Sequence, residues 1–326
     1  MSANFGGEPL ASPSPILEET LLAYKLYTPE PIAPPADKDA IRESSSPLVI
    51  CFHGSGESCS PSWDALTRAL TAPPLRLRVL AVDRGPAHPK PPQATADLLA
   101  HLAAGGDATR PPYVLVAHSY GGAFARTFLE ETGGKRVAGV VLVETGQEGG
   151  LDGAVEDAQY RRRALGRRPL SVVRGNSLLG VEAQIAAAEA RATSEVETGA
   201  LRRRREMLRV WDGEDERLKR RQLELSETTA PKRYVCVNDC GHDVVRDRPD
   251  LVAGEVKWVV ENIGEGGDGD EAGGDKEGVR EERGVGGEDE DKGEGEAERG
   301  ERGWRRIRRI YKEMFGMLFG RLRGLR

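Results

Sequence analysis

The sequence is poor in the features that would assign it at once to a specialised class of protein. Of its 326 residues, 5% are aromatic and four are cysteine. The four cysteines are compatible with free buried thiols in a reducing compartment. No apolar run is long enough to span a bilayer, and the N-terminal MSANFGGEPLASPSP lacks the basic and apolar regions of a secretory signal. We therefore expect a cytoplasmic protein.

The main part of the chain also lacks an excess of positive charge. Residues 1–263 carry a net charge of −3, so they lack the basic excess of a nucleic-acid-binding surface. Residues 264–303 contain sixteen Asp and Glu against six Lys and Arg, with no aromatic residue. Such a segment buries too little apolar surface to offset its ordering entropy and is predicted to be a disordered linker. Residues 1–15, rich in Pro, Ser and Gly, are predicted to be a disordered tail.

The last segment, residues 304–326, reverses the sign of the charge. It holds eight Arg and Lys against one Glu, and its apolar residues recur at helical spacing. The pattern predicts a basic amphipathic helix. Such a helix suits peripheral contact with an anionic membrane surface, whereas docking onto the preceding domain or onto the acidic linker explains the pattern equally well.

Short runs rich in Val and Leu alternate with helical segments over residues 16–263. Strands are predicted at an outer position within 16–27 and at 48–52, 78–83, 113–117, 138–144, 170–173 and 234–237. Helices are predicted at 61–70, 93–104, 120–131, 182–191, 200–225 and 250–262. Continuous apolar runs of this length are typical of strands covered on both faces. The alternation predicts an α/β fold, a three-layer α/β/α sandwich around a mostly parallel sheet of seven or eight strands, with a small helical cap from 145–169 and 176–225.

In such a sheet the active site lies at the carboxyl ends of the strands, and one of those ends carries a serine. The stretch YVLVAHSYGGAFAR (113–126) passes from a strand through Ser119 into a helix with almost no loop. So tight a turn needs small residues two positions away on either side, and Ala117 and Gly121 meet that need. The arrangement matches a nucleophile elbow with Ala in place of the first glycine. The alternative is a serine in an ordinary turn.

Two other strand ends supply what a catalytic serine needs. The loop HGSGES (53–58) follows the first parallel strand, and its glycines leave backbone amides available for an oxyanion hole, unless it is an ordinary glycine turn. A serine also needs a base within hydrogen-bond reach. Of the five histidines, His242 lies on a glycine-bearing loop after the last strand, where it is placed to reach Ser119. The alternative for His242 is an ordinary surface histidine.

Together these pieces resemble the α/β-hydrolase fold family, and within it the single-domain serine hydrolases and esterases. The resemblance covers residues 17–263 and rests on three motifs, HGSG at 53–56, HSYGG at 118–122 and CGHD at 240–243. It implies Ser119 as the nucleophile and His242 as the general base. It also implies the backbone amides of Ser55 and Tyr120 as the oxyanion donors.

The catalytic acid is the position where the sequence departs from the family. Family members most often carry it after the strand that precedes the histidine strand, but here that strand continues as Arg-Gly-Asn-Ser (174–177), without a carboxylate. Glu144, at the end of the preceding strand, keeps the chain order of nucleophile, acid and histidine and is the first candidate. Asp152 and Asp215 are weaker candidates. The other interpretation of Glu144 is a carboxylate that caps the following turn.

These residues predict a serine hydrolase that needs neither a cofactor nor a metal ion. It would cleave a small or lipid-like ester, or else an amide or thioester, through an acyl-Ser119 intermediate. The competing hypothesis is a catalytically inactive binding or scaffold protein that keeps the fold, because the usual acid position is empty. Contact between Glu144 and His242 is the feature that discriminates between the two hypotheses.

Overall fold

A computed structural model describes four stretches of the protein: residues 22–30, 46–85, 88–146 and 150–264. Three of the predicted segments lie outside these residues, namely the tail (1–15), the C-terminal helix (304–326) and, apart from Gly264, the linker (264–303). These segments, and the membrane contact that depends on the C-terminal helix, stay predictions.

A seven-stranded sheet forms the centre of the described chain, as the alternating pattern predicts. Its strands are β1 (Ala23–Tyr27), β2 (Leu48–Phe52), β3 (Arg78–Asp83), β4 (Tyr113–His118), β5 (Val137–Val143), β6 (Leu170–Gly175) and β7 (Lys232–Val237). Their order in the sheet is β1-β3-β2-β4-β5-β6-β7, and all neighbours are parallel except β1 and β3. Strand β1 is the outer strand expected within residues 16–27.

Helices cover both faces of this sheet, which confirms the predicted three-layer sandwich. The α-helices of the described residues are α1 (Asp64–Thr71), α2 (Pro91–Ala104), α3 (Gly121–Glu131), α4 (Gly153–Arg161), α5 (Leu179–Glu189), α6 (Glu195–Arg221), α7 (Val244–Asp247) and α8 (Pro249–Glu261). Side chains of α2 and α3 belong to one hydrophobic core, and those of α1 and α8 to the other.

Strand β2 shows why the sequences of these strands are continuous apolar runs. The side chains of Leu48, Ile50 and Phe52 pack into the core beneath α2 and α3. Those of Val49 and Cys51 pack into the core beneath α1 and α8. Because successive side chains point to opposite faces, a strand covered on both faces has no side that faces solvent, and apolar residues dominate it.

The helices α4, α5 and α6 fall in the region predicted as a cap. Helices α5 and α6, both inserted between β6 and β7, share a small apolar cluster of their own. Helix α6 begins at Glu195, earlier than predicted, because Ser194 and Glu197 form a capping box at its start. The end of the predicted helix is a separate 3-10 helix, Gln222–Leu225. Within the described ranges, no helix combines the length and apolar character needed to cross a bilayer.

Candidate active site

Ser119 lies at the sharp turn between β4 and α3, as the motif predicts. Its backbone has a φ of +52°, a left-handed conformation that is uncommon for residues other than glycine. The N–H of Ser119 donates to the carbonyl oxygen of Val143 on β5 at 3.0 Å, which holds the turn against the sheet. Backbone strain of this kind is typical of functional sites, where the surrounding structure holds it in place.

Gly121 shows why the motif needs a small residue after the serine. A Cβ atom on Gly121 would lie 2.1 Å from the carbonyl oxygen of Phe52, at the end of β2. That separation is far inside van der Waals contact, and the atom it meets belongs to the backbone. A side chain at this position would therefore push helix α3 away from β2.

We expect Gly121→Ala to lower the free energy of unfolding by about 3 kcal/mol through this overlap. For a domain of this size the melting temperature then falls by roughly 6–12 °C, measured by circular dichroism. Gly254→Ala is the matched control, because a Cβ on Gly254 in α8 meets nothing within 4 Å. The control is expected to gain up to about 1 kcal/mol from the higher helix propensity of alanine. Equal melting temperatures of the two variants would contradict the close approach.

His242 and Glu144 line up behind Ser119. The Nε2 atom of His242 lies 3.0 Å from Oγ of Ser119, and its Nδ1 atom lies 3.1 Å from Oε2 of Glu144. Because an ionised carboxylate only accepts hydrogen bonds, Nδ1 carries the proton that faces Glu144. In a neutral imidazole, Nε2 is then the acceptor for the hydroxyl proton of Ser119. The structure thus brings the predicted nucleophile, base and acid into hydrogen-bond contact.

Glu144 is fully buried, and four donors surround its carboxylate. Its Oε1 atom accepts the N–H of Gly175 at 2.7 Å and lies 3.3 Å from Nζ of Lys219. Its Oε2 atom accepts the hydroxyl of Ser177 at 2.8 Å, in addition to the proton of His242. The last residue of β6 and the loop after it, which lacks a carboxylate, therefore supply two of the donors that hold the carboxylate of Glu144.

Opposing effects set the pKa of Glu144. Burial raises this pKa, but the positive charge of Lys219 and the hydrogen bonds from His242 and Ser177 outweigh burial and bring it to about 2. Glu144 is therefore ionised wherever a histidine ordinarily titrates. Because the folded value lies below the unfolded value of 4.5, the ionised carboxylate stabilises the fold above pH 4.5. That stabilisation is lost as the pH falls toward 2.

The predicted oxyanion donors lie on two segments beside the nucleophile. Ser55 lies in the turn after β2, and Tyr120 immediately precedes α3. Neither amide donates to another residue within the described ranges, whereas the amide of Gly54 donates to Oε2 of Glu57 at 3.2 Å. A Cβ atom on Gly54 would lie 3.1 Å from Cβ of Ser119, so the loop that carries Ser55 lies directly against the nucleophile.

His118, the residue before the nucleophile, connects the loops on either side of it. Its Nε2 atom lies 2.9 Å from the carbonyl oxygen of His242, and its Nδ1 atom lies 3.2 Å from Oε2 of Glu57. A carbonyl oxygen only accepts, so Nε2 of His118 carries a proton. Through His118, the loop that carries Glu57 is tied to the backbone of the histidine loop.

Comparison with protein families identifies the fold. The model of the alpha/beta hydrolase family matches residues 49–255 of this chain. The chain belongs to this family. The resemblance to the α/β-hydrolase fold family is thereby confirmed, and family membership supports hydrolysis as the class of reaction. A comparison with curated proteins found no match for the hydrolase.

The hydrolase is also similar to solved structures of low sequence identity. Est1E from Butyrivibrio proteoclasticus is 13% identical, with a TM-score of 0.43 over 74% of this chain and 94% of that one. A dienelactone hydrolase from Anabaena variabilis is 16% identical, with a TM-score of 0.40 over 74% and 90%. A variant of AqdC, described for ring cleavage of the Pseudomonas quinolone signal, is 15% identical, with a TM-score of 0.39 over 74% and 95%. These likenesses carry no conclusion on the substrate.

In the described part of the hydrolase, one group of side chains has donor atoms close enough to share a cation. These atoms belong to Glu57, His118 and Asp243 and lie within 4.8 Å of one another. The hydrogen bond between Glu57 and His118 already accounts for one of these contacts. The cluster alone does not indicate a metal site.

The two weaker candidates for the acid have other contacts. Asp152 caps helix α4 by accepting the amides of its first turn. Asp215, on α6, pairs with Nζ of Lys219 at 2.5 Å and with Nε of Arg174 at 3.0 Å. Asp215 therefore contacts a neighbour of Glu144 in the hydrolase.

Three side chains that contact the site were not predicted from the sequence: those of Lys219, Ser177 and Glu57. Lys219 stands in the run RLKRR, which has the composition of a solvated helix face. The signal that reveals it is helical spacing, since it lies on the buried stripe of α6 with Leu208, Trp211, Asp215 and Leu218. Ser177 and Glu57 carry no such signal, because their contacts depend on which loops the sheet brings together.

Proposed function

We propose that this member of the alpha/beta hydrolase family is a serine hydrolase that cleaves a carboxylic ester through a covalent acyl-Ser119 intermediate. The observation that carries the proposal is the line of contacts from Ser119 through both ring nitrogens of His242 to Glu144, at 3.0 and 3.1 Å. Both distances are within the reach that a nucleophile, its base and the orienting group require. The substrate is a small or lipid-like ester, and no step needs a cofactor or a metal ion.

In the first half of the proposed reaction, Oγ of Ser119 attacks the ester carbonyl carbon while Nε2 of His242 takes the hydroxyl proton. Ionised Glu144 stabilises the imidazolium through its Nδ1–H. The imidazolium then protonates the leaving alcohol, and the acyl group remains on Ser119. In the second half, His242 takes a proton from water, the resulting hydroxide attacks the acyl carbonyl, and Ser119 regains its proton as the acid leaves.

The backbone amides of Ser55 and Tyr120 are proposed to hold the negative oxygen of each tetrahedral intermediate. Donors fixed before the reaction need no reorganisation, and each such donor is worth roughly 3 kcal/mol of transition-state stabilisation. The amide of Tyr120 also lies at the N-terminus of α3, where the helix dipole favours a negative charge.

The alternative of an inactive binding protein depends on the empty position after β6. The contact between Glu144 and His242 weakens that alternative, because it supplies a carboxylate from another strand. Donors from Gly175 at the end of β6 and from Ser177 in the loop after it hold this carboxylate in place, as expected of an acid that orients a base.

The test is hydrolysis of p-nitrophenyl esters from acetate to laurate, with p-nitroacetanilide as the amide comparison. We expect saturable release of p-nitrophenol from at least one ester, and acid-quenched samples are expected to contain protein heavier by one acyl group. A folded protein that accelerates none of these esters above the uncatalysed rate would contradict the proposal. The chain length with the highest kcat/KM would separate a small substrate from a lipid-like one.

A further inference from the structure

A lysine side chain is buried against the proposed catalytic acid, and the reaction described above does not use it. Lys219 lies at the end of α6, and none of its surface is exposed. Its Nζ atom lies 3.3 Å from Oε1 of Glu144 and 2.5 Å from Oδ1 of Asp215. Removing a lysine from water is costly unless its charge is paired, and these carboxylates supply that pairing.

Asp215 connects Lys219 to the sheet. Its second oxygen accepts from Nε of Arg174 on β6 at 3.0 Å, and Arg174 also pairs with Asp212. Lys219 therefore shares Asp215 with Arg174. Because its Nζ atom also contacts Oε1 of Glu144, the ammonium charge acts on both carboxylates.

A second contact fixes this end of α6 beside the acid. Gln222, three residues after Lys219, donates its Nε2 to the carbonyl oxygen of Thr145 at 2.9 Å. Its Oε1 accepts the hydroxyl of the same threonine at 3.0 Å. Because Thr145 directly follows Glu144, these two hydrogen bonds fix the end of α6 next to the backbone of the acid. They therefore keep the ammonium group of Lys219 beside the carboxylate of Glu144.

We propose that Lys219 is a positioning residue that lowers the proton affinity of His242 through Glu144, so that the base stays neutral at a lower pH than Glu144 alone would permit. The proposal rests on the proposed function, since it concerns the base of that reaction. It assigns to helix α6 a part in setting the pH range of catalysis.

The direction of the effect follows from the charges. Glu144 stabilises the imidazolium of His242, and the positive charge of Lys219 on the opposite carboxylate oxygen opposes that stabilisation. Because kcat/KM requires the neutral imidazole, the acid limb of its pH profile follows the protonation of His242. Loss of the Lys219 charge therefore moves the limb to higher pH. Loss of the Asp215 charge leaves Lys219 less compensated and moves the limb to lower pH.

Other titratable groups face His242 and stay unchanged in such variants. The ring of His118 lies with its centroid 4.9 Å from that of His242. Glu57 approaches from the loop after β2, and Asp243 is the next residue along the chain. These groups contribute to the titration midpoint of His242 in the wild type and in every variant. Differences in that midpoint between variants therefore report on Lys219 and Asp215.

The experiment compares the full-length wild type with Lys219→Met and Asp215→Asn. Lys257→Met is the control, because Lys257 is exposed on α8 and pairs there with Glu261. One readout is the pH dependence of kcat/KM for the best p-nitrophenyl ester. The other is an NMR titration of the His242 ring, assigned by comparison with His242→Gln, which needs no substrate.

We expect the midpoint of the acid limb of the kcat/KM profile and the midpoint of the NMR titration to rise by about one pH unit in Lys219→Met. Both midpoints are expected to fall in Asp215→Asn and to stay at the wild-type value in Lys257→Met. If Lys219→Met does not fold, the direction of the shift in Asp215→Asn decides. Midpoints unchanged from wild type, or shifted in one direction by both variants, overturn the proposal. Opposed NMR shifts in a protein that hydrolyses no ester would instead overturn the proposed function and leave the electrostatic link intact.

Discussion

Replacing Ser119 by alanine is expected to lower kcat for p-nitrophenyl ester hydrolysis by about six orders of magnitude. Without Oγ no acyl intermediate can form, and His242 has only water to activate. The variant is expected to fold, because alanine has the same steric demand as serine at a φ of +52°. Stopped-flow and long-time absorbance measurements cover the range of rates, and circular dichroism checks the fold.

The matched control for this variant is Ser60→Ala. Ser60 is exposed, and its hydroxyl donates to Asp64 at 3.2 Å at the start of α1. Its removal is expected to leave kcat within a factor of two of wild type. A folded Ser119→Ala protein that retains more than about one thousandth of wild-type kcat would contradict the acyl-Ser119 mechanism, since oxyanion stabilisation and binding alone do not reach that level.

Glu144→Gln is expected to lower kcat by about four orders of magnitude with little change in substrate binding. The site itself fixes how the amide is oriented. Oε1 of Glu144 faces two donors, the amide of Gly175 and Nζ of Lys219, so the amide oxygen takes that position. The NH₂ group then faces Nδ1 of His242 and donates to it. Nδ1 becomes an acceptor, Nε2 carries the proton, and the ring presents no acceptor to Ser119.

Glu255→Gln separates this effect from the loss of any buried carboxylate. Glu255 is buried on α8, where its Oε2 accepts the hydroxyl of Ser171 at 2.7 Å. We expect this control to lose some stability but to retain wild-type kcat. Steady-state kinetics and melting curves of both variants make the comparison. Similar kcat values for Glu144→Gln and wild type would show that Glu144 does not orient the base.

The strands and the nucleophile turn were predictable from sequence because local physics decides them. Strand β2 is buried on both faces, so its apolar run has no interruption, and the tight turn at Ser119 requires the small residues Ala117 and Gly121. Each of these signals lies within a few neighbouring positions. Glu144 was the first candidate for the acid because it lies at a strand end and between Ser119 and His242 in the chain, whereas Asp152 and Asp215 keep only the chain order.

The surroundings of Glu144 were not predictable in the same way. The position after β6 holds no carboxylate, which suggested a damaged triad. In the structure, Gly175 at the end of β6 and Ser177 just after it donate hydrogen bonds to Glu144, which follows the neighbouring strand β5. Lys219 reaches the same carboxylate from a helix 75 residues further along the chain. Such contacts depend on which loops the sheet places together, and a single sequence holds no local pattern for them. For Lys219 the one sequence signal is its helical spacing with the other buried residues of α6.

The central claim, an acyl group carried on Ser119, is tested most directly by a fluorophosphonate probe followed by peptide mass spectrometry. The probe forms a stable adduct only with a serine that an adjacent base activates. We predict a single adduct on the peptide that contains Ser119 in the wild type, much slower labelling in Glu144→Gln and none in Ser119→Ala. A folded wild-type protein with no adduct, or with its adduct on another residue, would contradict the account.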